Sequence, residues 1–203
     1  MISKSAIIYP EVKLGKNVII EDFVIIGVCP SCYKQGELET IIGDNAVIRS
    51  HTVIYAGNKI GKNFQTGNKV NIRELNEIGN DVSIGTFSNI EHHIKIGNSV
   101  RIHSQVFIPE FTILEDEAWI GPCVVITNAK YPKSKNVKKE LKGAHIKKHA
   151  IIGANSTLLP GIIIGEKSFV GAGAVVTKDV ADNLVVAGNP ATIINKIENL
   201  PYE

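Results

Sequence analysis

The chain has 203 residues, of which 44% are hydrophobic, and a formal net charge of +2 at pH 7. This length supports one sizeable core, so we expect a single domain over residues 1–203. The near-neutral charge argues against nucleic acid as the main partner, since duplex binding usually leaves a strongly basic face. The opening stretch lacks an apolar signal core and no later run reaches the ~20 apolar residues of a membrane span, so we expect a cytoplasmic protein without membrane insertion.

The three cysteines do not indicate a disulfide framework, because their number is odd. Cys29 and Cys32 form a CxxC motif without the second pair that would complete a zinc site. The motif is interpreted as two free thiols in a reducing compartment. The alternative is a redox site or half of a metal site.

A six-residue repeat dominates the sequence. An aliphatic residue occupies every sixth position from Ile42 to Ile126, with Thr66 as the exception among fifteen, and the register resumes from Ile146 to Val176. A period of six fits neither the 3.6 residues of a helical turn nor the alternation of an antiparallel sheet. It predicts short strands joined by tight corners, with three hexapeptides to a coil of 18 residues and parallel ladders ~4.8 Å apart. Glycines that directly follow the aliphatic positions are expected where a side chain would obstruct the backbone.

Two stretches interrupt the repeat, at about residues 27–40 and 127–145, and both are predicted to be loops extruded from the coil. The second is rich in lysine from Lys130 to Lys142, which indicates either contacts with substrate phosphates or an ordinary solvated charge run. In the tail, residues 190–203, Pro190 predicts the start of a short helix that Pro201 would end.

The repeat, the late loop and the terminal VVAGNPA of residues 185–191 together resemble the hexapeptide-repeat acyltransferases. The resemblance implies an all-β fold, a left-handed parallel β-helix with an extruded loop and a short C-terminal helix. It also implies a homotrimer with active sites between subunits, and acetyl-CoA or another acyl-CoA as co-substrate. The repeat is more specific for fold than for chemistry, because serine acetyltransferases, sugar O-acetyltransferases and γ-type carbonic anhydrases share it.

Residues 89–97 (NIEHHIKIG) resemble a segment of the nucleotide-sugar N-acetyltransferases that contains the proposed general base. By position the base corresponds to His92, and His93 replaces the acid that would orient it. Residues 126–132 (ITNAKYP) are similar to the T-N-D loop of the 3-amino-sugar N-acyltransferases, with Ala129 in place of the acid. The resemblance thus implies a nucleotide-linked amino sugar as partner. The residues expected to bind it are Glu91, His93, Asn128 and Lys130.

Coil arithmetic adds a prediction from the residues themselves. Residues 18 apart occupy the same corner of successive coils, which places Glu74, His92, Glu110 and Asn128 in one column. Histidine suits proton transfer near neutral pH, and a carboxylate one coil away could fix its tautomer. We therefore predict His92 as the base, with Glu110 and Glu74 as its acidic partners. The alternative is a solvated corner, where such residues are commonplace.

The same arithmetic stacks the turn Gly153-Ala154 under the turn Gly171-Ala172. The resemblance implies that this corner is the channel of the coenzyme A arm. Lys178, Asn189 and Pro190 are expected near the adenosine end of that channel. Glycine and alanine that merely make tight corners are the alternative. No metal is expected, because His51, His103, His145 and His149 share no column.

Three functions compete. The first is N-acylation of a dTDP- or UDP-linked amino sugar for cell-surface polysaccharide or glycan synthesis. The second is O-acetylation of a sugar or of serine, and the third is a non-catalytic β-helix scaffold. The NIEHHIKIG segment and the GNPA terminus favour catalysis, since a structural prism needs neither.

Overall fold

A computed structural model describes residues 1–201 as a left-handed parallel β-helix with three sheets. The first sheet has nine strands, at Ile7–Ile8, Ile25–Val28, Val53–Tyr55, Asn71–Ile72, Asn89–Ile90, Phe107–Ile108, Val125–Ile126, Thr157–Leu158 and Val175–Val176. The second has eight, at Val12–Leu14, Thr40–Ile42, Lys59–Ile60, Glu77–Ile78, Lys95–Ile96, Ile113–Leu114, His145–Ile146 and Ile163–Ile164. The third has ten, at Ile19–Ile20, Val47–Ile48, Gln65–Thr66, Ser83–Ile84, Arg101–Ile102, Trp119–Ile120, Ile151–Ile152, Phe169–Val170, Leu184–Ala187 and Thr192–Lys196.

The pairing of the strands confirms the predicted coil. Ile72 pairs in parallel with Ile54 below it and with Ile90 above it, so a step along the sheet advances the chain by 18 residues wherever no excursion intervenes. In each two-residue strand the second side chain points inward. All fifteen positions of the repeat from Ile42 to Ile126 are buried, including the exception Thr66. The hydroxyl of Thr66 is satisfied because it accepts a hydrogen bond of 2.9 Å from the backbone N–H of Arg49.

The glycines that follow the aliphatic positions are required by close packing of successive coils. A Cβ added to Gly43 would lie 2.6 Å from the carbonyl carbon of Gly61, and one added to Gly79 would lie 2.7 Å from that of Gly97. These distances leave no room for a side chain. The predicted reason for the glycines, obstruction of the backbone, is therefore confirmed.

Three corners join the sheets. We call them the first corner, between the first and second sheets, the second corner, between the second and third sheets, and the third corner, between the third and first sheets. Both interruptions of the repeat leave from the first corner, one between the strands Ile25–Val28 and Thr40–Ile42, the other between Val125–Ile126 and His145–Ile146. The second excursion contains a 3₁₀ turn at Val137–Lys139. The ladder resumes beyond each excursion, with Ile26 paired to Ile54 and Ile126 to Leu158. The first corner between them is formed by residues 56–57, 74–75, 92–93 and 110–111.

The C-terminal segment differs from the prediction. No helix starts at Pro190; residues Thr192–Lys196 instead form a strand antiparallel to Leu184–Ala187, followed by a 3₁₀ turn at Ile197–Asn199. The β-branched run Thr192, Ile193 and Ile194 favours a strand, and the last coil offers it an unpaired edge. Residues 202–203 of the predicted tail lie outside the described residues. The cysteines Cys29, Cys32 and Cys123 are free.

Candidate active site

The first corner carries the predicted catalytic column. Glu74, His92, Glu110 and Asn128 each lie two residues after an inward-facing residue of the first sheet. Coil geometry therefore places their backbones in one column, as the sequence predicts. Their side chains, however, do not all contact one another.

His92, Glu110 and Asn128 form a continuous set of contacts. The Nε2 of His92 lies 3.5 Å from Oε1 of Glu110. The other carboxylate oxygen of Glu110 accepts a hydrogen bond of 2.6 Å from the side-chain amide of Asn128. The imidazole and the carboxylate are about three-quarters buried, with side-chain exposures of 27% and 23%. Asn128 thus fixes the carboxylate that faces His92.

A second imidazole joins this set. The Nδ1 of His93 lies 2.8 Å from the Nδ1 of His92, and the two ring planes are nearly perpendicular, at 83°. His93 is exposed and has a left-handed backbone conformation, with φ of 57°. Phe111, one coil above, lies against it with ring centroids 5.9 Å apart. The sequence indicated the neighbouring histidines but not this contact between them.

Glu74 forms its side-chain hydrogen bonds with Arg73 and none with His92. The guanidinium donates two hydrogen bonds, of 2.9 and 3.0 Å, to the two carboxylate oxygens of Glu74, which is only 5% exposed. Burial by itself would raise the pKa of Glu74, but the hydrogen bonds and the charge of Arg73 outweigh it and lower that pKa. The expected partnership of Glu74 with His92 is therefore replaced by a bidentate ion pair.

Arg73 also reaches the neighbouring coil. Its Nη1 lies 3.4 Å from Oε2 of Glu91, and its guanidinium carbon lies 5.1 Å from the centroid of the Tyr55 ring. Burial, and to a smaller degree the charge of Glu110, raise the pKa of Glu91 above the ordinary range, although Arg73 opposes this. Sequence reasoning missed Arg73 and Tyr55. The same coil arithmetic signals them, since Tyr55, Arg73 and Glu91 are spaced 18 apart.

The predicted coenzyme A residues lie at two corners. Gly153, Ala154, Gly171 and Ala172 stack at the third corner, and Asn189 and Pro190 follow the strand Leu184–Ala187 above them. Lys178 lies instead at the first corner, two residues after Val176. A Cβ on Gly153 would lie 2.5 Å from the backbone nitrogen of Ala172, so coil packing alone requires this glycine. One chain therefore presents the His92 column and the Gly153 corner on different edges of the prism.

The remaining predicted residue, Lys130, belongs to the lysine-rich excursion. Its ammonium lies 5.6 Å from the centroid of the Tyr131 ring, and Tyr131 is 63% exposed. The excursion is anchored to the column, because the backbone N–H of Lys142 donates to the carbonyl of Asn128 over 2.9 Å. Within residues 1–201, no three His, Cys, Asp or Glu side chains are grouped so that they could hold a metal ion.

Comparison with known proteins agrees with this architecture. Residues 77–110 and 143–178 match the family model described as bacterial transferase hexapeptide (six repeats). These two segments, about a third of the chain, are therefore similar to the hexapeptide repeats of bacterial transferases. The solved structure of LpxA, a UDP-N-acetylglucosamine acyltransferase from Bacteroides fragilis, shares the fold, with a TM-score of 0.65 and 20% identity over 98% of this chain and 75% of that one.

Two curated relatives are more similar in sequence over shorter segments. A galactoside O-acetyltransferase of Lactococcus lactis is 37% identical over 87 residues, which is 41% of this chain and 42% of the relative. A dTDP-3-amino-3,6-dideoxy-alpha-D-galactopyranose 3-N-acetyltransferase of Aneurinibacillus thermoaerophilus is 56% identical over 48 residues, 24% of this chain and 25% of the relative. The match thus spans less than half the length of either relative. None of the helices in residues 1–201 has the length and apolar character needed to cross a bilayer.

Proposed function

We propose that the chain is an acyl-CoA-dependent N-acyltransferase that acts on the amino group of a dTDP- or UDP-linked sugar. The observation that carries the proposal is the pair of imidazoles anchored to Glu110 at the first corner. An amine that attacks a thioester must lose a proton, and an imidazole held by a carboxylate suits that transfer. The local identity to a dTDP-amino-sugar 3-N-acetyltransferase supports the same acceptor class.

The charges at the first corner also favour an amine. Glu74 and Glu91 pair with the guanidinium of Arg73, and Glu110 lies beside His92 at the same corner, so carboxyl groups outnumber the guanidinium there. A sugar amine is largely protonated before reaction, so an excess of carboxylates attracts it. A hydroxyl acceptor carries no charge, so the carboxylates do not attract it in the same way. The enzyme would act in the cytoplasm, in the synthesis of cell-surface polysaccharide or glycan.

A thiol-release assay tests the acceptor class. We expect release of free coenzyme A with dTDP- or UDP-amino sugars, together with the mass gain of one acyl group on the sugar amine. The matched control is the same nucleotide sugar with a hydroxyl in place of the amine, which should react far more slowly because a site built for one polar group rejects its replacement. Equal or faster transfer to the hydroxyl would contradict the proposal.

O-acetylation of a sugar is the second candidate, because the galactoside O-acetyltransferase matches a larger part of the chain than the N-acetyltransferase does. An imidazole base serves a hydroxyl as well as an amine. The same assay distinguishes the two candidates, since galactosides would then react and amino sugars would not.

A homotrimer with sites between subunits is part of the proposal. The His92 column and the Gly153 corner lie on different edges of one chain, on either side of the first sheet. The outward side chains of this sheet are all uncharged: Ile7, Ile25, Val53, Asn71, Asn89, Phe107, Val125, Thr157 and Val175. Cyclic packing through such a face would bring the acyl-donor corner of one subunit toward the His92 column of the next.

Assembly is checked by sedimentation at micromolar concentration, where we expect three times the chain mass of 22.0 kDa. Phe107→Glu places a charge on the outward face of the first sheet and should shift the mass to that of a monomer, because an interface core excludes an unpaired charge. Ile113→Glu is the control: Ile113 is equally exposed, at 37%, but belongs to the second sheet. A wild-type monomer, or dissociation by the control alone, would contradict the prediction.

A further inference from the structure

Both ring nitrogens of His92 already have protein partners. Its Nε2 faces the carboxylate of Glu110 at 3.5 Å, and its Nδ1 faces the Nδ1 of His93 at 2.8 Å. A general base needs a free lone pair that points at the substrate. In this geometry His92 has none. Within residues 1–201, by contrast, no protein atom forms a hydrogen bond with the Nε2 of His93.

The carboxylate determines every proton position in this chain of contacts. The amide of Asn128 donates to one oxygen of Glu110, and the other oxygen lies 3.5 Å from the Nε2 of His92, so the negative charge of an ionised carboxylate favours a proton on that nitrogen. The Nδ1 of a neutral His92 is then an acceptor. It follows that the Nδ1 of His93 is the donor of the 2.8 Å contact, and that the Nε2 of His93 keeps its lone pair.

We propose, resting on the proposed function, that the Nε2 of His93 accepts the proton of the sugar amine and that Asn128, Glu110 and His92 form a relay that fixes its tautomer. This differs from the resemblance, which implies His92 as the base and an acid at the next position. In this chain the acid is Glu110, one coil away. The imidazole of His92 lies between Glu110 and His93, whose Nε2 accepts the proton.

The surroundings of His93 hold its ring in place. The backbone N–H of His93 donates to the carbonyl of Glu74 over 3.4 Å, and the ring lies against Phe111 at 5.9 Å between centroids. The charged groups facing the two imidazoles from this and adjacent coils are Glu110, Glu91 and the Arg73–Glu74 pair. The exposed edge of His93 is therefore the part of the relay that a substrate can reach.

The chemical step balances within the two substrates and the relay. The ammonium group first releases one proton to solvent; the neutral amine nitrogen then forms a bond to the thioester carbonyl carbon, and one of its two remaining protons moves to the Nε2 of His93. The tetrahedral intermediate then collapses with cleavage of the carbon–sulfur bond, and the imidazolium of His93 returns the proton to the departing thiolate. His92 and Glu110 stabilise that imidazolium through its Nδ1–H.

The tautomers are measurable without any substrate. In protein labelled with ¹⁵N-histidine, at a pH where both rings are neutral, we expect His93 to be protonated at Nδ1 and His92 at Nε2. Spectra of His92→Gln and His93→Gln assign the resonances. A proton on the Nε2 of His93 in the neutral protein would overturn the relay, whatever the substrate proves to be.

Kinetics test the accepting nitrogen. His93→Gln should lower kcat by about 10²-fold or more and leave the KM for acyl-CoA nearly unchanged, because the interaction belongs to the transition state. Added imidazole should restore activity to His93→Ala, since the position is exposed. The control is His149→Gln, a histidine with the same left-handed backbone, φ of 57°, at the second corner, away from both the His92 column and the Gly153 corner. That variant should retain full activity.

Two results separate the hypotheses. A His93→Gln variant within about threefold of wild type overturns the assignment of His93, because a general base contributes at least about 10²-fold. A wild-type protein that acylates no amine overturns the proposed function, and in that case the histidine tautomers still decide whether the relay exists.

Discussion

Glu110→Gln is expected to lower kcat by about 10²-fold or more while leaving the KM for acyl-CoA nearly unchanged. Glutamine keeps the size of the side chain but removes the charge that favours a proton on the Nε2 of His92. The two histidines can then adopt other tautomers, and the Nε2 of His93 no longer keeps a free lone pair in every molecule. The acidic limb of the kcat/KM profile should also move to lower pH, because the carboxylate no longer stabilises the imidazolium. Steady-state kinetics across pH measure both effects.

A double variant shows whether Glu110 acts through His92. Combining Glu110→Gln with His92→Asn should cost little more than His92→Asn alone, because an orienting group has no role without the ring it orients. Glu117→Gln is the matched control: its carboxylate lies 3.3 Å from Nδ1 of His149, a pair of the same kind away from the first corner. Additive losses in the double variant would show that Glu110 and His92 act independently.

Arg73→Met should lower the free energy of unfolding by about 3–5 kcal/mol, the cost of leaving a buried carboxylate without its partner. Glu74 is 5% exposed and receives both of its strong hydrogen bonds from Arg73. Urea denaturation measures the loss. Arg49→Met is the control, because Arg49 pairs with Glu21 at 3.3 Å with both side chains more than a third exposed, and such pairs contribute at most about 1 kcal/mol.

The loss caused by Arg73→Met should depend on pH. In the wild type the pKa of Glu74 is lowered, so its stabilising contribution is present above the pKa of the unfolded chain, about 4.3, and disappears as the pH falls through the lower folded value. Without Arg73, burial is opposed only by a backbone hydrogen bond and the charge of His92, so the pKa of Glu74 rises. The difference between variant and wild type should therefore shrink as the pH falls and the carboxyl protonates. A difference that is constant with pH would contradict the charge-based explanation.

The coil was largely predictable because an aliphatic residue at every sixth position indicates short strands joined by corners, whereas the left-handed form was implied by the family resemblance. Backbone pairing such as Ile72 with Ile90 follows from the 18-residue coil alone. The predicted C-terminal helix is wrong, because the β-branched residues after Pro190 pair with the open edge of the last coil.

The candidate site was predictable only at the level of the backbone. Coil arithmetic placed His92 beside Glu110, and the structure confirms that contact. It also placed Glu74 beside His92, but the side chain of Glu74 pairs with Arg73, its neighbour in sequence. Contacts between adjacent residues of one corner, such as Arg73 with Glu74 or His92 with His93, depend on side-chain direction, which periodicity does not specify.

Both excursions leave the prism at the edge that carries His93, and the ladder continues beyond each of them in the original register. The cost of closing a loop grows only slowly with its length. Residues 29–39 and 129–141 can therefore be lengthened, shortened or exchanged while Asn128 and the coils stay in place. The coil corner that holds His93 can thus stay the same among related proteins. The two flanking segments can change in length and sequence, and with them the acceptor that binds.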